Sequence, residues 1–390
     1  MTIKYTHLKF ILCFLVLGGV LSGVLGSVFD GVVFTKILTP SIVQANENQT
    51  VPETETLEGI IEKVLEETET EIDGITQIEQ TLECRITKGS NKDKLITIIN
   101  EQYTQVNVKR YKKNDKVILT YTKDYEGNDL YFITDYNRRD GLVLLFAIFI
   151  IISILVARKN GLLSLLSMGL SFLIIVKYVL PSILDGSDPV ITVILASIFI
   201  IPITFYISHG FNKKITVAII GTLISLTITG ILAHIFVNMV HLSGFSSEDA
   251  LFLQGLGSTQ YNLKGILLAG IIISMLGVLD DITVAQTSVI YQLHKVDSKL
   301  NFKELYKKSI KVGTHHIASM INTLVLVYTG TFLPLLLLFT NNPRPLGEMI
   351  NYEIVSSEIV RTLVGSIGLI LAVPITTLLG CYFVTRSDLA

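Results

Sequence analysis

Two adjacent carboxylates, Asp280 and Asp281, follow directly on the apolar run Ile266 to Leu279. An ionisable side chain is costly in lipid, so in a membrane helix it normally faces the bundle interior or a wet cavity. Residues at steps of three and four share one helix face, and Asp281 shares its face with small and polar residues. These residues are Gly270, Ser274, Gly277, Ala285, Ser288 and Gln292. The pattern predicts that Asp281, more than Asp280, points into a polar internal path.

Other apolar stretches of the chain also carry polar side chains. Together with the two aspartates, Gln286 and Asn322 are predicted to form a transport or proton-coupling site. A secondary polar face is predicted from residues that lie nearer the outer ends of their helices. These residues are His234, Asn238, His241, Glu358 and Arg361. The alternative for the aspartates is a packed, hydrogen-bonded helix end, and small residues on a membrane helix also serve close packing.

The spacing of the histidines predicts no metal site. His234 lies roughly 28 Å from the inner surface at about 1.5 Å per residue, whereas Asp281 and His315 lie near that surface. The chain has no HExxH motif, no cysteine metal motif, no Walker loop, no nucleotide fingerprint and no GxSxG elbow. We therefore predict no cofactor and no enzyme activity, and the three cysteines are expected to form no intrachain disulfide.

Composition places the chain in a membrane. Of its 390 residues, 50% are hydrophobic and only 16% are charged, and the charge deficit is concentrated in stretches long enough to cross a bilayer. We predict an α-helical integral membrane bundle of about seven core transmembrane helices, with an N-terminal anchor helix and a small extracytoplasmic β-barrel-like domain. The predicted spans are 8–29, 141–157, 161–180, 190–208, 215–240, 264–280, 317–339 and 360–384.

Lysine and arginine residues predict the orientation. They occur at 158–159, at 213–214 and repeatedly over 295–311, in alternate connections, while the intervening loops contain only Arg344. By the positive-inside rule the basic connections are cytoplasmic. Both termini are then cytoplasmic if the first span is uncleaved. A cleaved signal sequence is the alternative, but the apolar run from Ile11 to Phe29 is longer than a typical signal core.

The segment between the first two spans has a different composition. Residues 46–83 contain twelve acids and one base, whereas alternating β-branched and aromatic residues separated by turn residues begin near Leu82. The latter pattern predicts a small barrel of OB or SH3-like type, and its tyrosines could be core residues or a ligand platform. These tyrosines are Tyr103, Tyr111, Tyr121 and Tyr125. The predicted domains are an anchor or signal sequence at 1–30, an acidic linker at 31–80, the β domain at 81–139 and the seven-helix domain at 140–390.

Three functions are compatible with these features. The leading prediction is a permease that moves a small solute or ion, with proton coupling through Asp280 or Asp281. The alternative is a non-transporting assembly or sensory module whose outer domain binds a ligand or partner, and an intramembrane enzyme ranks third. The predicted partners are the lipid bilayer and an unidentified solute or ion, together with a second copy or a paired membrane protein. No nucleic-acid partner is predicted.

Three ordered blocks resemble the YibE/F family of bacterial membrane proteins. They are Gly277-Val-Leu-Asp-Asp-Ile-Thr-Val-Ala-Gln-Thr-Ser288, His315-His-Ile-Ala-Ser-Met-Ile-Asn-Thr-Leu324, and Glu358-Ile-Val-Arg-Thr-Leu-Val-Gly-Ser-Ile-Gly368 with Pro374-Ile-Thr376. The resemblance extends from about Lys116 to the C-terminus and includes the connection Ile207 to Lys214. It implies a multi-pass protein of the bacterial cell membrane and says little about activity. His315 departs from the charged or small residue expected there, so no ligand role is carried over to it.

Overall fold

The first unit of the fold is an antiparallel β-sheet that begins at Glu55. The computed structural model describes residues 54–72, 75–101, 109–124, 126–246, 248–255, 261–341 and 345–387. The chain divides into two units between Ile152 and Ser153. The sheet has the order β3-β2-β1-β4-β5. Its strands are β1 Glu55–Ile72, β2 Ile75–Lys88, β3 Leu95–Glu101, β4 Lys116–Lys123 and β5 Asp129–Tyr136.

Alternating apolar residues give the sheet one packed face. Leu57 and Ile61 of β1 are fully buried, as are Leu82, Cys84 and Ile86 of β2, because successive strand residues point to opposite faces. The buried Gln80 side chain fixes the segment before β4. Its Nε2 donates to the Tyr111 carbonyl oxygen at 3.0 Å, and its Oε1 accepts from the Tyr111 amide at 2.9 Å.

The structure changes three predictions made for residues 31–139. Residues 55–80 are not an acidic linker, because β1 and the start of β2 occupy them as a hairpin in which Ile72 pairs with Ile75. The described strands form an open sheet with β3 and β5 as edges, so a closed barrel is not established. Tyr111 is a core residue, 2% exposed, and Tyr121 stacks on Tyr131 at 5.2 Å. Tyr103, Tyr125 and the anchor span 8–29 lie outside the described residues.

The remaining described residues are almost entirely helical. The helices are α1 Arg139–Ile174, α2 Leu180–Leu184, α3 Pro189–His209, α4 Lys213–Met239, α5 Glu248–Gly255, α6 Leu263–Val296, α7 Phe302–Thr331, α8 Leu333–Thr340, α9 Leu346–Met349 and α10 Glu353–Ser387. A π-helical turn, Ile175–Val179, joins α1 to α2. Side-chain caps explain where four of them start, because each cap accepts a backbone N–H that has no partner within its helix. The caps are Asp188 of α3, Asn212 of α4, Asn262 of α6 and Asn301 of α7.

Five helical runs in the described part of the chain are long and apolar enough to cross a membrane, or six if α7 and α8, bent by 67°, count as one span. The sequence predicts seven, because it separates 141–157 from 161–180, whereas the structure has one run from Arg139 to Leu184. That run breaks at Arg158, whose φ is 52°. A Cβ on Gly161 would lie 2.2 Å from the Ser153 carbonyl oxygen, so the chain turns back sharply at the break. The helical membrane fold is therefore confirmed, and the number of crossings stays a prediction.

Candidate functional site

The centre of the bundle is the close packing of α4, α6 and α10, which brings small residues of one helix against hydroxyl groups of another. A Cβ on Gly368 of α10 would lie 2.1 Å from Thr229 Oγ1 of α4. One on Gly221 of α4 would lie 2.7 Å from Thr376 Oγ1 of α10. Small residues at such contacts let membrane helices approach closely. The glycine pattern of the last span therefore serves packing, which is the alternative that the sequence left open.

Gln286 is the polar centre of this packing. Its side chain is 2% exposed, and its Nε2 donates to the Ser309 carbonyl oxygen of α7 at 3.0 Å and to Thr377 Oγ1 of α10 at 2.8 Å. Space for the amide comes from Gly313, where a Cβ would lie 2.9 Å from Gln286 Oε1. A single amide thus joins three helices. The sequence named Gln286 as a candidate, and the structure places it inside the bundle.

Hydroxyl groups continue the polar line from Gln286 along α4 and α6. Thr222 and Thr283 lie 2.7 Å apart between the two helices, and both are fully buried. One of the two hydroxyls donates to the other, and the second donates to a carbonyl oxygen of its own helix, as Ser225 and Thr229 do further along α4. The last members of the line are the buried side-chain oxygens of Ser309, which lies near the Cys381 thiol, and Thr376, which has no hydrogen-bond partner.

A charged pair lies in α10 on the N-terminal side of these contacts. Arg361 Nη1 is 3.3 Å from Glu358 Oε2, and the two side chains are 30% and 12% exposed. Glu358 Oε1 and Arg361 Nε are buried and have no hydrogen-bond partner. A buried pair of opposite charges that is incompletely hydrogen-bonded is costly to keep in a membrane helix. Glu358 and Arg361 are thus partly buried, whereas the three other residues predicted for the secondary polar face are exposed.

The two aspartates are placed the other way round from the sequence prediction. Asp280 is half-buried, whereas Asp281 is exposed together with Gly270 and Gly277. The inward face of α6 instead carries residues such as Met275 and Leu279, which are fully buried. Periodicity groups residues on one face but does not say which face packs. Here the larger residues pack inward, so the prediction that Asp281 is the interior member of the pair is wrong.

The remaining candidates do not join this site. Asn322 is exposed on α7, His234 and Asn238 are exposed in the C-terminal half of α4, and His241 is exposed in the turn after α4. Asn238 Nδ2 donates to the His234 carbonyl oxygen at 2.7 Å, a bond within its own helix. In the described part of the chain no three His, Cys, Asp or Glu residues are grouped so that they could hold a metal ion.

Two residues were missed by the sequence reasoning. Glu353, in the first turn of α10, accepts hydrogen bonds from the Ser243 and Gly244 amides at 2.8 and 2.6 Å and from Ser243 Oγ at 2.6 Å. It ties the start of α10 to the loop after α4, and nothing in the spacing marks it. Thr377 was the easier to find, because it follows Thr376, which the sequence analysis names, and two hydroxyl residues in a row are unusual inside so apolar a helix.

A polar cavity of 190 Å³ lies between the loop before α3 and the start of α6. Asp188 and Asn262 line it, and both already accept backbone amides as helix caps. Their acceptor oxygens are engaged in starting α3 and α6. The cavity is therefore a weaker candidate than the buried line.

Comparison with known proteins agrees with the bundle. No curated protein and no solved structure matches the chain. The model of the YibE/F-like protein family matches residues 145–386, which is more than half of the chain and covers α2 to α9 with nearly all of α1 and α10. The protein belongs to the YibE/F-like family.

Proposed function

We propose that this protein moves a small solute or ion across the bilayer, with proton coupling through Asp280 or Asp281. The observation that carries the proposal is the buried polar line of α4, α6 and α10, centred on Gln286 and extended by the Glu358–Arg361 pair. Polar and ionisable groups inside membrane helices are expensive, and they commonly mark solute or ion pathways and proton relays.

The packing of the line indicates how it would work. Gly221 and Gly368 bring α10 so close to α4 that a single methyl group would collide with Thr376 or Thr229. This arrangement is closed, so transport requires α10 to move relative to α4 and α6. Glycine contacts allow packed helices to slide over one another by small amounts, which is one known form of conformational switching. The unpartnered hydroxyl oxygen of Thr376 would bind the solute or its water when the helices part.

Of the two aspartates, Asp280 is the better coupling group. It is half-buried, whereas Asp281 is exposed. The half-buried position shields a carboxylate from lipid and still lets a proton reach it.

Proteoliposomes that contain the intact protein and a trapped pH-sensitive dye test the proposal. Amino acids, sugars, inorganic anions and divalent cations would be supplied in turn across an imposed pH gradient. We expect one class to cause proton movement, and we expect Asp280→Asn to abolish that movement while membrane abundance stays normal. If none of the solute classes caused proton movement in vesicles shown to contain folded protein, the result would contradict transport.

The alternative is an assembly or sensory module, and the folded outer sheet favours it. Its long β1–β2 hairpin carries exposed acidic residues that the bundle does not need for insertion. Deletion of residues 54–136 separates the two functions. A permease keeps some flux because the polar line lies within the bundle, whereas a module loses all function although the helices still insert.

We propose the bacterial cell membrane as the location, with both termini in the cytoplasm, which the alternation of lysines supports. Single cysteines at Ser187 and Ser298, both exposed serines in loops, give a matched test. The first should react with an impermeant reagent added to intact cells and the second should not. Reaction at Ser298 alone would reverse the orientation.

A further inference from the structure

The connection from α6 to α7 carries a dense basic segment. Residues 295–311 contain six lysines and two acids, which gives the segment a net charge of four positive. The lysines are Lys295, Lys299, Lys303, Lys307, Lys308 and Lys311, and all six are exposed. Each of the other two basic connections, at 158–159 and 213–214, has two basic residues. The number here is larger than orientation by the positive-inside rule requires.

The two acids of the segment are bound to backbone amides. Asp297 Oδ1 accepts the Lys299 amide at 3.2 Å, and Glu304 Oε2 accepts the Asn301 amide at 3.3 Å as part of the capping box of α7. Within the part of the chain that the structure describes, the ion pairs involve none of the six lysines. Their charge can therefore act on a partner outside the bundle.

Packing of the connection sets the direction of the lysines. Leu300 is buried in one cluster with Ile290 of α6 and Cys381 of α10, so the connection is held on the bundle. Three lysines of α7 share a stripe at four-residue spacing, and each lies two positions, or about 200°, from a buried residue of that helix. The stripe is Lys303, Lys307 and Lys311, and the buried residues are Leu305, Ser309 and Gly313. The stripe therefore points away from the bundle.

The contact between α6 and α7 sets the depth of the stripe. Gln286 Nε2 of α6 donates to the Ser309 carbonyl oxygen of the antiparallel α7, so Lys311 lies about five residues beyond the level of Leu279. At about 1.5 Å per residue this is about 8 Å past the end of the apolar run, next to a headgroup layer about 5–7 Å thick. Val312 beside it is 46% exposed and places an apolar side chain on the membrane side of the lysine.

The same count divides the lysines into two sets. The near set is Lys307, Lys308 and Lys311, and the far set is Lys295, Lys299 and Lys303. The near set lies within about 8 Å of the headgroup layer, which is the Debye length at physiological ionic strength. The far set lies about 20 Å or more past the apolar run, where salt screens the attraction of an anionic surface.

We propose that the near set binds the phosphate groups of anionic phospholipids, with the lysine ammonium groups donating to phosphate oxygens. Clusters of lysines beside the end of a membrane helix attract anionic headgroups. The exposed Val312 favours a phosphate that carries acyl chains over a free phosphate ion. The proposal does not depend on transport, since the stripe lies on the side of α7 opposite Ser309 and the buried line.

Lipid binding to the purified full-length protein in a neutral detergent tests the proposal. Native mass spectrometry would compare phosphatidylglycerol with phosphatidylcholine for two variants that lose the same charge. Replacement of all three lysines of the near set by glutamine should lower the apparent affinity for phosphatidylglycerol about a hundredfold, the effect of three lost lysine contacts at an anionic surface. The same replacement in the far set is the matched control and should change the affinity less than about threefold.

Lys311→Gln alone should lower the affinity about fivefold, which keeps the test open if the near-set variant fails to fold. Equal losses in the two triple variants would mean that the segment attracts anions through its total charge. Displacement of the lipid by an equal concentration of inorganic phosphate would mean that the lysines bind a free anion. Equal binding of phosphatidylglycerol and phosphatidylcholine would mean that the lysines do not select anionic lipid. Any of these three results overturns the proposal.

Discussion

In the bundle interior, hydroxyl groups donate to carbonyl oxygens of their own helices, whereas in the β domain acids of the strands pair with bases from other segments of the chain. Thr222, Ser225 and Thr229 show the first arrangement. Arg110 with Glu67 and Lys94 with Asp129 show the second, at 3.1 and 3.0 Å. The surroundings explain the difference, because lipid penalises any unsatisfied polar group, while water screens and solvates the charges of the sheet. Substitutions that disturb packing in the bundle should therefore lower its stability more than substitutions that remove a charge lower the stability of the sheet.

The largest expected effect is at the helix contacts. Gly368→Ala would drive a Cβ to within 2.1 Å of Thr229 Oγ1 and force α10 away from α4, whereas Gly277→Ala meets nothing within 4 Å. Overpacking of this kind costs about 1–3 kcal/mol. We expect a lower midpoint of thermal unfolding in detergent for Gly368→Ala alone. Equal loss in both variants would show that the α4–α10 contact is not a tight one.

The sequence alone predicts which segments form apolar helices, but it does not predict which face of each helix packs against the others. Apolar length marks where helices cross, and Gln286 stood out as an amide in an apolar setting. The stripe of small and polar residues that contains Asp281 was assigned inward because polar groups avoid lipid, yet the packing contacts of α6 are made by Met275, Leu279 and Thr283. Which face packs depends on neighbouring helices far away in the chain, such as α10, and a single periodicity carries no information about them.

The β domain shows a different limit of sequence reasoning. Twelve acids over 46–83 pointed to a linker, although Asp73-Gly74 between Ile72 and Ile75 is a strong local hairpin signal. Net charge misled because the bases that offset it, Arg85 and Arg110, lie later in the chain and reach β1 only after folding. The alternation of Leu57, Gly59 and Ile61 would have revealed the strand.

A smaller effect is expected at Gln286. Replacement by leucine removes the hydrogen bonds to the Ser309 carbonyl oxygen and Thr377 Oγ1, each worth about 0.6–1.7 kcal/mol in a membrane protein. Gln292→Leu, at an exposed position on the same helix, is the control. The difference in unfolding midpoint between the two variants measures the buried network. If Gln286→Leu raised the midpoint, the polar junction would be retained for function at a cost in stability.

In the β domain, the loss of stability caused by removing the Asp135 carboxylate should depend on pH. Hydrogen bonds from Arg138, and then from Lys109, hold the pKa of Asp135 well below its ordinary value of 3.8. Because folding lowers the pKa of Asp135, the ionised carboxylate stabilises the folded state fully at pH values above its ordinary pKa. This stabilisation is lost as the pH falls through the lower pKa of the folded state. Asp135→Asn should thus destabilise the sheet at pH 7 and matter progressively less below about pH 4. Hydrogen-exchange protection of β4 and β5 amides, corrected for intrinsic rates, measures this, and a pH-independent gap would contradict it.

The smallest effect should come from the exposed pair that links the two edges of the sheet. Lys94 Nζ lies 3.0 Å from Asp129 Oδ2, and both side chains are largely in water. Exposed ion pairs contribute little because the attraction is weak in water and two flexible side chains must be held in one geometry. A double-mutant cycle with Lys94→Ala and Asp129→Ala measures the coupling energy of the pair, and the urea dependence of Cys84 alkylation in nanodiscs reports unfolding. We expect weak coupling that disappears in about 1 M salt, where the screening length is about 3 Å. Cys84 is a suitable reporter, since it is fully buried and burial raises the pKa of its thiol to about 11. Strong coupling that survives salt would show that the two edges of the sheet are held together as in a closed barrel. The difference between the polar interactions of the bundle and those of the β domain would then come from closure of the sheet more than from exposure to water.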